Sequence, residues 1–364
     1  MKKTFLSMAA VLISAASFGQ FFTSTSYRGA FGVGSGANWM TGWTNFDPAN
    51  AVYPGNGAGE SLAGKTRVDI GTTTDADGYH HITSNTTWSN TNVYYLNNPV
   101  AVDAGVTLTI QAGTYVRGLN NAIPTCLVVS RGGKLNAIGT ASQPIVMTSA
   151  APNGSRNTGD WGGLVVCGKA KVNLNKSPNL GGRSVEGTVT TAPATASYYG
   201  AGNGSSTIDD SDNSGTIRYV RVEFAGDATV ANLELNGIML AGVGSGTAFD
   251  HVQVSYSKDD SFEWFGGTVD GKYLVAFGGT DDDLMWMRDS VDVFSLDLSF
   301  VTHVSAITVV LLVLPTSLRW TTILLRVETQ LPIRHNTAHS QLQAVYSQTL
   351  QPSDLCVLVR PLHL

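Results

Sequence analysis

Residues 248–283 read AFDHVQVSYSKDDSFEWFGGTVDGKYLVAFGGTDDD. Val252 and Val254 alternate with polar residues, the period of a strand with one apolar face, and Leu274 and Ala276 repeat that alternation 22 residues later. Seven and eight residues after Val252 come Asp259 and Asp260, and at the same distances after Leu274 come Asp281 and Asp282. An interval that restores both an apolar pair and an acidic pair describes a coil laid on the previous coil.

The alternation recurs upstream at Val106, Leu108 and Ile110, at Leu127 and Val129, at Leu164 and Val166, and at Val220 and Val222. Leu108 and Leu127 are 19 residues apart. Strands recurring at about 20 residues, with Gly/Asn turns and no amphipathic helix between them, predict an all-β chain folded as a right-handed single-stranded parallel β-helix. Equivalent positions would then form ladders at about 4.8 Å. A β-sandwich, the competing architecture, would want hairpin turns every roughly 8–12 residues, whereas Asn236-Gly237 and Asp270-Gly271 fall within intervals about twice as long. The expected inward residues are Leu108, Ile110, Leu127, Val129, Val220, Val222, Val252 and Val254. Residues 20–100, rich in Gly, Asn, Thr and aromatics, read as an irregular cap whose Trp39, Trp43 and Trp88 cover an open sheet end, and 101–283 read as the helix.

Lys2 and Lys3, the apolar run from Phe5 to Ala16, and the small Ser17 and Gly19 form an export signal over 1–19. The mature chain is expected to be secreted or associated with the outer membrane. With 13% charged residues and a net charge of −5, nothing supplies the basic face that nucleic acid requires, and cations or neutral glycans are the favoured partners. Cys126, Cys167 and Cys356 make no disulfide framework; the first two adjoin apolar strand runs and read as small strand residues. No Ser/His/Asp order, phosphate loop or CxxC occurs.

All 40 glycines lie at or before Gly279, and the last 85 residues contain none, although ordinary usage of about 7% would give roughly six. Val304 to Leu325 is apolar but interrupted by Pro315 and Arg319, so no membrane-spanning helix is expected there. A coding sequence for Asp-Asp-Asp-Phe-Asp-Val-Asp-Ala-Gly-Phe-Arg-Gly-Cys-Val-Gln-Phe-Gly-Leu, with one T removed from its first Phe codon, encodes Asp281 through Leu298 without an error. Residues 284–364 therefore read as an out-of-frame tail that neither follows the fold nor carries a site, on a truncated piece of a longer protein.

Over Trp39 to Asp283 the chain resembles a family of secreted surface proteins of Bacteroidota-type bacteria, right-handed parallel β-helices that often carry a type IX secretion signal. The segments that carry the likeness are Gly42-Trp43-Thr44-Asn45-Phe46-Asp47-Pro48, Val106-Thr107-Leu108-Thr109-Ile110, Trp161-Gly162-Gly163-Leu164, Asn213-Ser214-Gly215, Asn236-Gly237-Ile238, Gly242-Val243-Gly244-Ser245-Gly246-Thr247 and Asp259-Asp260-Ser261-Phe262-Glu263-Trp264-Phe265-Gly266-Gly267-Thr268. The resemblance implies fold and location more than activity. It also implies further coils after the acidic triplet, where this chain has Leu284-Met285-Trp286.

If the ladder holds, Asp259 and Asp260 stack on Asp281 and Asp282. Two carboxylates about 4.8 Å apart repel by roughly 3.5 kcal/mol at an effective dielectric near 20. A bound Ca²⁺, a shared proton or solvent exposure would offset that. The hard oxygens of Asp259, Asp260, Asp281 and Asp282, with Asp283 beside them, suit Ca²⁺ better than zinc, because up to Asp283 the only histidines are His80, His81 and His251. His80-His81 reads as a polar turn pair. Asp259, Asp260 and Glu263 are the candidates for general acid and base in glycoside cleavage, although Gly-His-Gly and Arg-x-Lys patterns are absent. Trp264 and Phe265 are read either as a sugar-stacking platform or as the closure of a coil turn. Two functions stay open: a non-catalytic structural, adhesion or glycan-binding β-helix, and a polysaccharide-active one.

Overall fold

The structure, a computed structural model, describes residues 38–55, 60–172, 183–188, 195–200, 207–230 and 233–286, with the strands Phe300–Val301, Val309–Thr316, Arg319–Glu328 and Gln341–Tyr346. The export signal expected at 1–19 and Cys356 lie outside the described residues. Between 66 and 286 the chain winds as a parallel β-helix with three faces per coil. Face I carries Thr86–Trp88, Thr107–Ile110 and Lys134–Ile138, and then the first parts of the long strands Gly215–Glu223 and Ala248–Ser255. Face II stacks Thr66–Ile70, Asn92–Leu96, Tyr115–Gly118, Ile145–Ser149, the second parts of the same long strands and Gly271–Phe277. Face III stacks His80–Ile82, Val100–Val102, Cys126–Val129, Gly163–Cys167, Ile238–Val243, Phe262–Gly267 and Leu284–Trp286. Every one of these pairings is parallel.

The alternation read from the sequence decides what points inward. Leu108, Ile110, Leu127, Val129, Val220, Val222, Val252 and Val254 all belong to one buried apolar cluster, together with Leu164, Val166, Leu274 and Ala276. The 22-residue spacing of Val252 and Leu274 is a true coil step. The 19-residue spacing of Leu108 and Leu127 is not, because those residues stand on different faces: Leu108 pairs with Leu135, and Leu127 with Val100 and Leu164. A coil here contains three strands, so the interval between successive apolar runs is shorter than the coil.

In the later coils the corner between faces I and II shrinks to one residue with left-handed backbone: Tyr219, His251 and Tyr273, at φ of 51°, 53° and 56°. That conformation costs a non-glycine residue about 1–2 kcal/mol, and stacking offsets it, with ring centroids 4.4 Å apart at both steps. The corner between faces II and III repeats the device with Phe224, Tyr256 and Gly278. At Gly278 a Cβ would come within 3.0 Å of the Tyr256 ring, so the column ends on glycine.

Two additions cover the outer surfaces. Residues 183–188 and 195–200 lay Val185, Ala196 and Tyr199 on the outward residues of face III, among them Val128, Val165, Met239 and Phe265, and bury Cys126 and Cys167 as free thiols in strands. An N-terminal strap, 38–55, runs down the outside of face II, where Glu60 also lies. Trp39 and Trp43 pack on His251, Asn45 exchanges two hydrogen bonds with Gln253, and Tyr53 Oη donates to Glu223 at 2.9 Å. The region read as a cap thus contains coil strands from Thr66 onward, and Trp88 lies in the core on face I. Trp39 and Trp43 sit beside the late coils, not on an open end.

Beyond Trp286, Phe300–Val301 pairs parallel with face II. Val309–Thr316, Arg319–Glu328 and Gln341–Tyr346 form a separate antiparallel sheet. Among the described residues no helix is long and apolar enough to cross a membrane.

Candidate functional site

The corner between faces II and III collects the acids. After Ala248–Ser255 the chain passes through Ser257-Lys258-Asp259-Asp260-Ser261 into Phe262, and after Gly271–Phe277 it passes through Gly279-Thr280-Asp281-Asp282-Asp283 into Leu284. The two turns stack one above the other. Ser261 N donates to Asp282 O at 2.9 Å, Phe262 N to Asp283 O at 3.2 Å, and Thr280 N to Ser257 O at 3.0 Å. The side chains join the ladder, since Asp260 Oδ1 accepts from Asp282 N at 3.0 Å.

One carboxylate oxygen each from Asp259, Asp260 and Asp281 lies within 4.8 Å of the others. Two oxygens bound to one Ca²⁺ at about 2.4 Å stand at most about 4.8 Å apart, so the spacing fits a single hard cation. The donor set is all oxygen and includes no thiolate or imidazole, which argues for Ca²⁺ over zinc. Asp260 is buried, Asp259 half-buried and Asp281 exposed, so the group opens to solvent through Asp281. Asp282 is buried at the same corner but does not belong to the converging three.

Crowding like charges in a partly desolvated corner makes their ionised forms costly. Burial, then Asp281 and Glu234, pushes Asp259 up to about 6. Burial, then Asp259, Asp282 and Asp281, pushes Asp260 up to about 8. Burial and then Asp282 push Asp283 up to about 6. Lys258, next to Asp259 in sequence, spends its charge on Asp227, to which its Nζ donates at 3.0 Å.

Glu263 stands one strand position into face III, beside Met239 and Met285, and points outward. It is only 3% exposed and takes a short hydrogen bond from Asn236 Nδ2. Burial, then Asp260, Glu186 and Asp259, raises it to about 10. Asp259, Asp260 and Glu263 therefore form one electrostatic unit, but Glu263 lies beneath the surface. Trp264 and Phe265 are both buried, Trp264 in the inner core and Phe265 under Val185, Ala196 and Tyr199, so neither is a platform or a turn.

The histidines serve elsewhere. His81 lies on strand His80–Ile82, not in a turn, with Nδ1 2.6 Å from Asp103 and Nε2 3.1 Å from Asp77. Burial lowers its pKa, the two carboxylates outweigh that, and the net direction is upward. Since they grip opposite sides of the ring, they cannot share a metal with it. His251 bonds Asp250, which also takes both a Nε and a Nη2 bond from Arg218.

Sequence reading missed a second charged site, under the strap, where Glu60 bridges Arg117 and Arg156. Nothing local signals it, because the partners come from three separate parts of the chain.

The profile of a family described as a pectate-lyase like beta helix domain matches residues 80–289. No curated protein and no solved structure gives a significant match.

Proposed function

The chain belongs to the pectate-lyase-like β-helix domain family, and from that premise we propose that it is a non-catalytic, glycan-binding surface β-helix whose acidic corner is closed by Ca²⁺. The observation that carries this reading is the convergence of Asp259, Asp260 and Asp281 within 4.8 Å on two stacked coils. Held by a cation, the three carboxylates keep their charge, and the two turns are stapled at the surface, where an ion reached through Asp281 can also take an oxygen from a sugar. The burial of Glu263 supports binding over cleavage, since a general acid or base must reach its proton across hydrogen-bond distance.

Polysaccharide cleavage is the second reading, and one observation favours it: Asp260, pushed up to about 8, holds a proton at neutral pH as a general acid would. A glycan array probed in Ca²⁺ and in chelator, run beside an assay of reducing-end release on the bound glycans, separates the two. Ca²⁺-dependent retention without release supports the binding protein, and release would establish the enzyme.

The export signal at 1–19 and the Bacteroidota-type resemblance support an exported, surface location. The absence of glycine after Gly279 and the antiparallel sheet formed by the strands from Val309 to Tyr346 support the reading of an out-of-frame tail, whereas the parallel pairing of Leu284–Trp286 and Phe300–Val301 with the coils runs against its beginning at Leu284. Resequencing the gene across the codons for Asp281 to Leu284 tests it.

A further inference from the structure

Under the strap, backbone oxygens hold two arginines in place before any carboxylate arrives. Arg117, on Tyr115–Gly118, donates from Nε to Ser149 O at 3.2 Å and from Nη2 to Ala151 O at 2.9 Å. Arg156 donates from Nε to Ala151 O at 3.2 Å. These acceptors belong to the coil, and strap carbonyls complete the set, Pro54 O accepting from Arg117 Nη1 at 3.2 Å and Pro48 O and Ala51 O accepting from Arg156 Nη1 at 2.8 Å each, so backbone oxygens orient both planar guanidiniums without any carboxylate. The donors left to converge are Arg117 Nη1, Arg156 Nη2 and the Asn153 amide. Glu60 satisfies all three, at 2.6 Å from Arg117, 3.2 Å from Asn153 and through a short bond from Arg156. All three side chains of the ion pairs are 0% exposed.

The occupant comes from the same chain, next to a glycine-rich sequence. Glu60 follows Gly55-Asn56-Gly57-Ala58-Gly59, and glycine loses more backbone freedom on ordering than any other residue. Gly55 is required at the site itself, because a Cβ there would stand 1.8 Å from Arg117 Nη1 and 2.6 Å from Glu60 Oε2. The geometry is therefore that of a receptor built from coil arginines on backbone oxygens and a ligand supplied in cis by Glu60.

We infer that Arg117, Arg156 and the Asn153 amide form a carboxylate-binding site, which Glu60 occupies in cis and which accepts a free carboxylate of the size of formate or acetate when Glu60 is withdrawn. The site is distinct from the acidic corner, being of opposite charge and on the outside of face II. Occupancy by Glu60 locks the strap, and a competing carboxylate unlocks it.

The test is Glu60→Ala in the full chain, with melting followed as formate or chloride is titrated at constant ionic strength. Formate should raise the melting temperature of the variant saturably. Chloride should not, the unsubstituted protein should show no such rise, and adding Arg156→Met to Glu60→Ala should abolish it. Equal midpoints in formate and chloride would overturn the assignment. Should Glu60→Ala fail to fold, the unsubstituted protein supplies the readout: exchange of the Asn45 and Gly55 amides, held by Gln253 and by Ser61 O, should be faster in concentrated formate than in chloride. Identical exchange would refute the idea.

Discussion

The strap site and the acidic corner both bury charge on the outside of the same coils, and they neutralise it in opposite ways. Under the strap, Arg117 and Arg156 meet Glu60, and Arg221 stands 3.5 Å from Glu223. At the corner, Asp259, Asp260 and Asp281 meet one another, with Asp282, Asp283 and Glu263 close by. The first arrangement is paired by charge within the chain, although Arg221 Nε and Glu223 Oε2 make no hydrogen bond. The second is complete only with protons or a cation, which is why the pKa values of Asp260 and Glu263 rise so far. Charge buried for structure is paired internally, and charge left for a ligand is not.

The largest expected effect lies on the paired side. Glu60→Gln leaves Arg117 and Arg156 buried with no carboxylate between them, and breaking a buried pair from one side costs about 3–5 kcal/mol. Chemical denaturation reads this directly, and a loss below about 1 kcal/mol would place the strap network among weak surface pairs and dissolve the comparison.

Next comes the cation. Metal held only by the native state stabilises it by about 2.7 kcal/mol at a concentration 100 times its dissociation constant. Asp259→Asn combined with Asp281→Asn should abolish the rise in melting temperature with Ca²⁺ and, by relieving repulsion, should raise the midpoint in chelator. A double variant that keeps the Ca²⁺ response would move the ion elsewhere.

The pH dependence follows from the direction of the shifts. Asp259 and Asp260 rise from 3.8 to about 6 and about 8, and Glu263 from 4.5 to about 10. The native state therefore holds more protons than the unfolded chain above the groups' ordinary values, and stability falls as pH rises. In chelator the protein should be most stable below about pH 4 as far as this corner is concerned, losing that contribution as pH climbs through 6 and 8. Ca²⁺ binds the ionised forms, so its stabilising effect should be greater at pH 8 than at pH 5, and melting at the two pH values checks both signs.

The smallest effect is expected at Lys258→Ala. Its pair with Asp227 is half exposed, so stability should change by about 0.5 kcal/mol or less, with the Ca²⁺ midpoint unmoved. A large shift in that midpoint would show that Lys258 belongs to the corner after all.

The late coils were legible in sequence because nothing interrupts them: Val252 to Leu274 is one clean step, and the acids ride on it at fixed offsets. Earlier coils hide their period. Leu164 pairs with Ile238 across a long insertion, and three short strands per coil make Leu108 and Leu127 look equivalent when they stand on different faces. The convergence of Asp259 and Asp281 could be anticipated from the ladder alone. The outward burial of Glu263 could not, because residues 183–188 and 195–200, which cover its face, come from an insertion with no periodic signal. The strap site was invisible for the same kind of reason, as Glu60 lies 57 residues from Arg117 and 96 from Arg156.

The central claim, that the acidic corner is built for a cation, is tested most directly by Ca²⁺ titration calorimetry of the intact chain in two buffers of different ionisation heat at pH 7. One ion should bind per chain, and because Asp260 titrates near 8 the observed heat should differ between buffers as its proton is released. Asp281→Asn should weaken binding. No binding, or binding unchanged in Asp281→Asn and with the same heat in both buffers, would contradict the account.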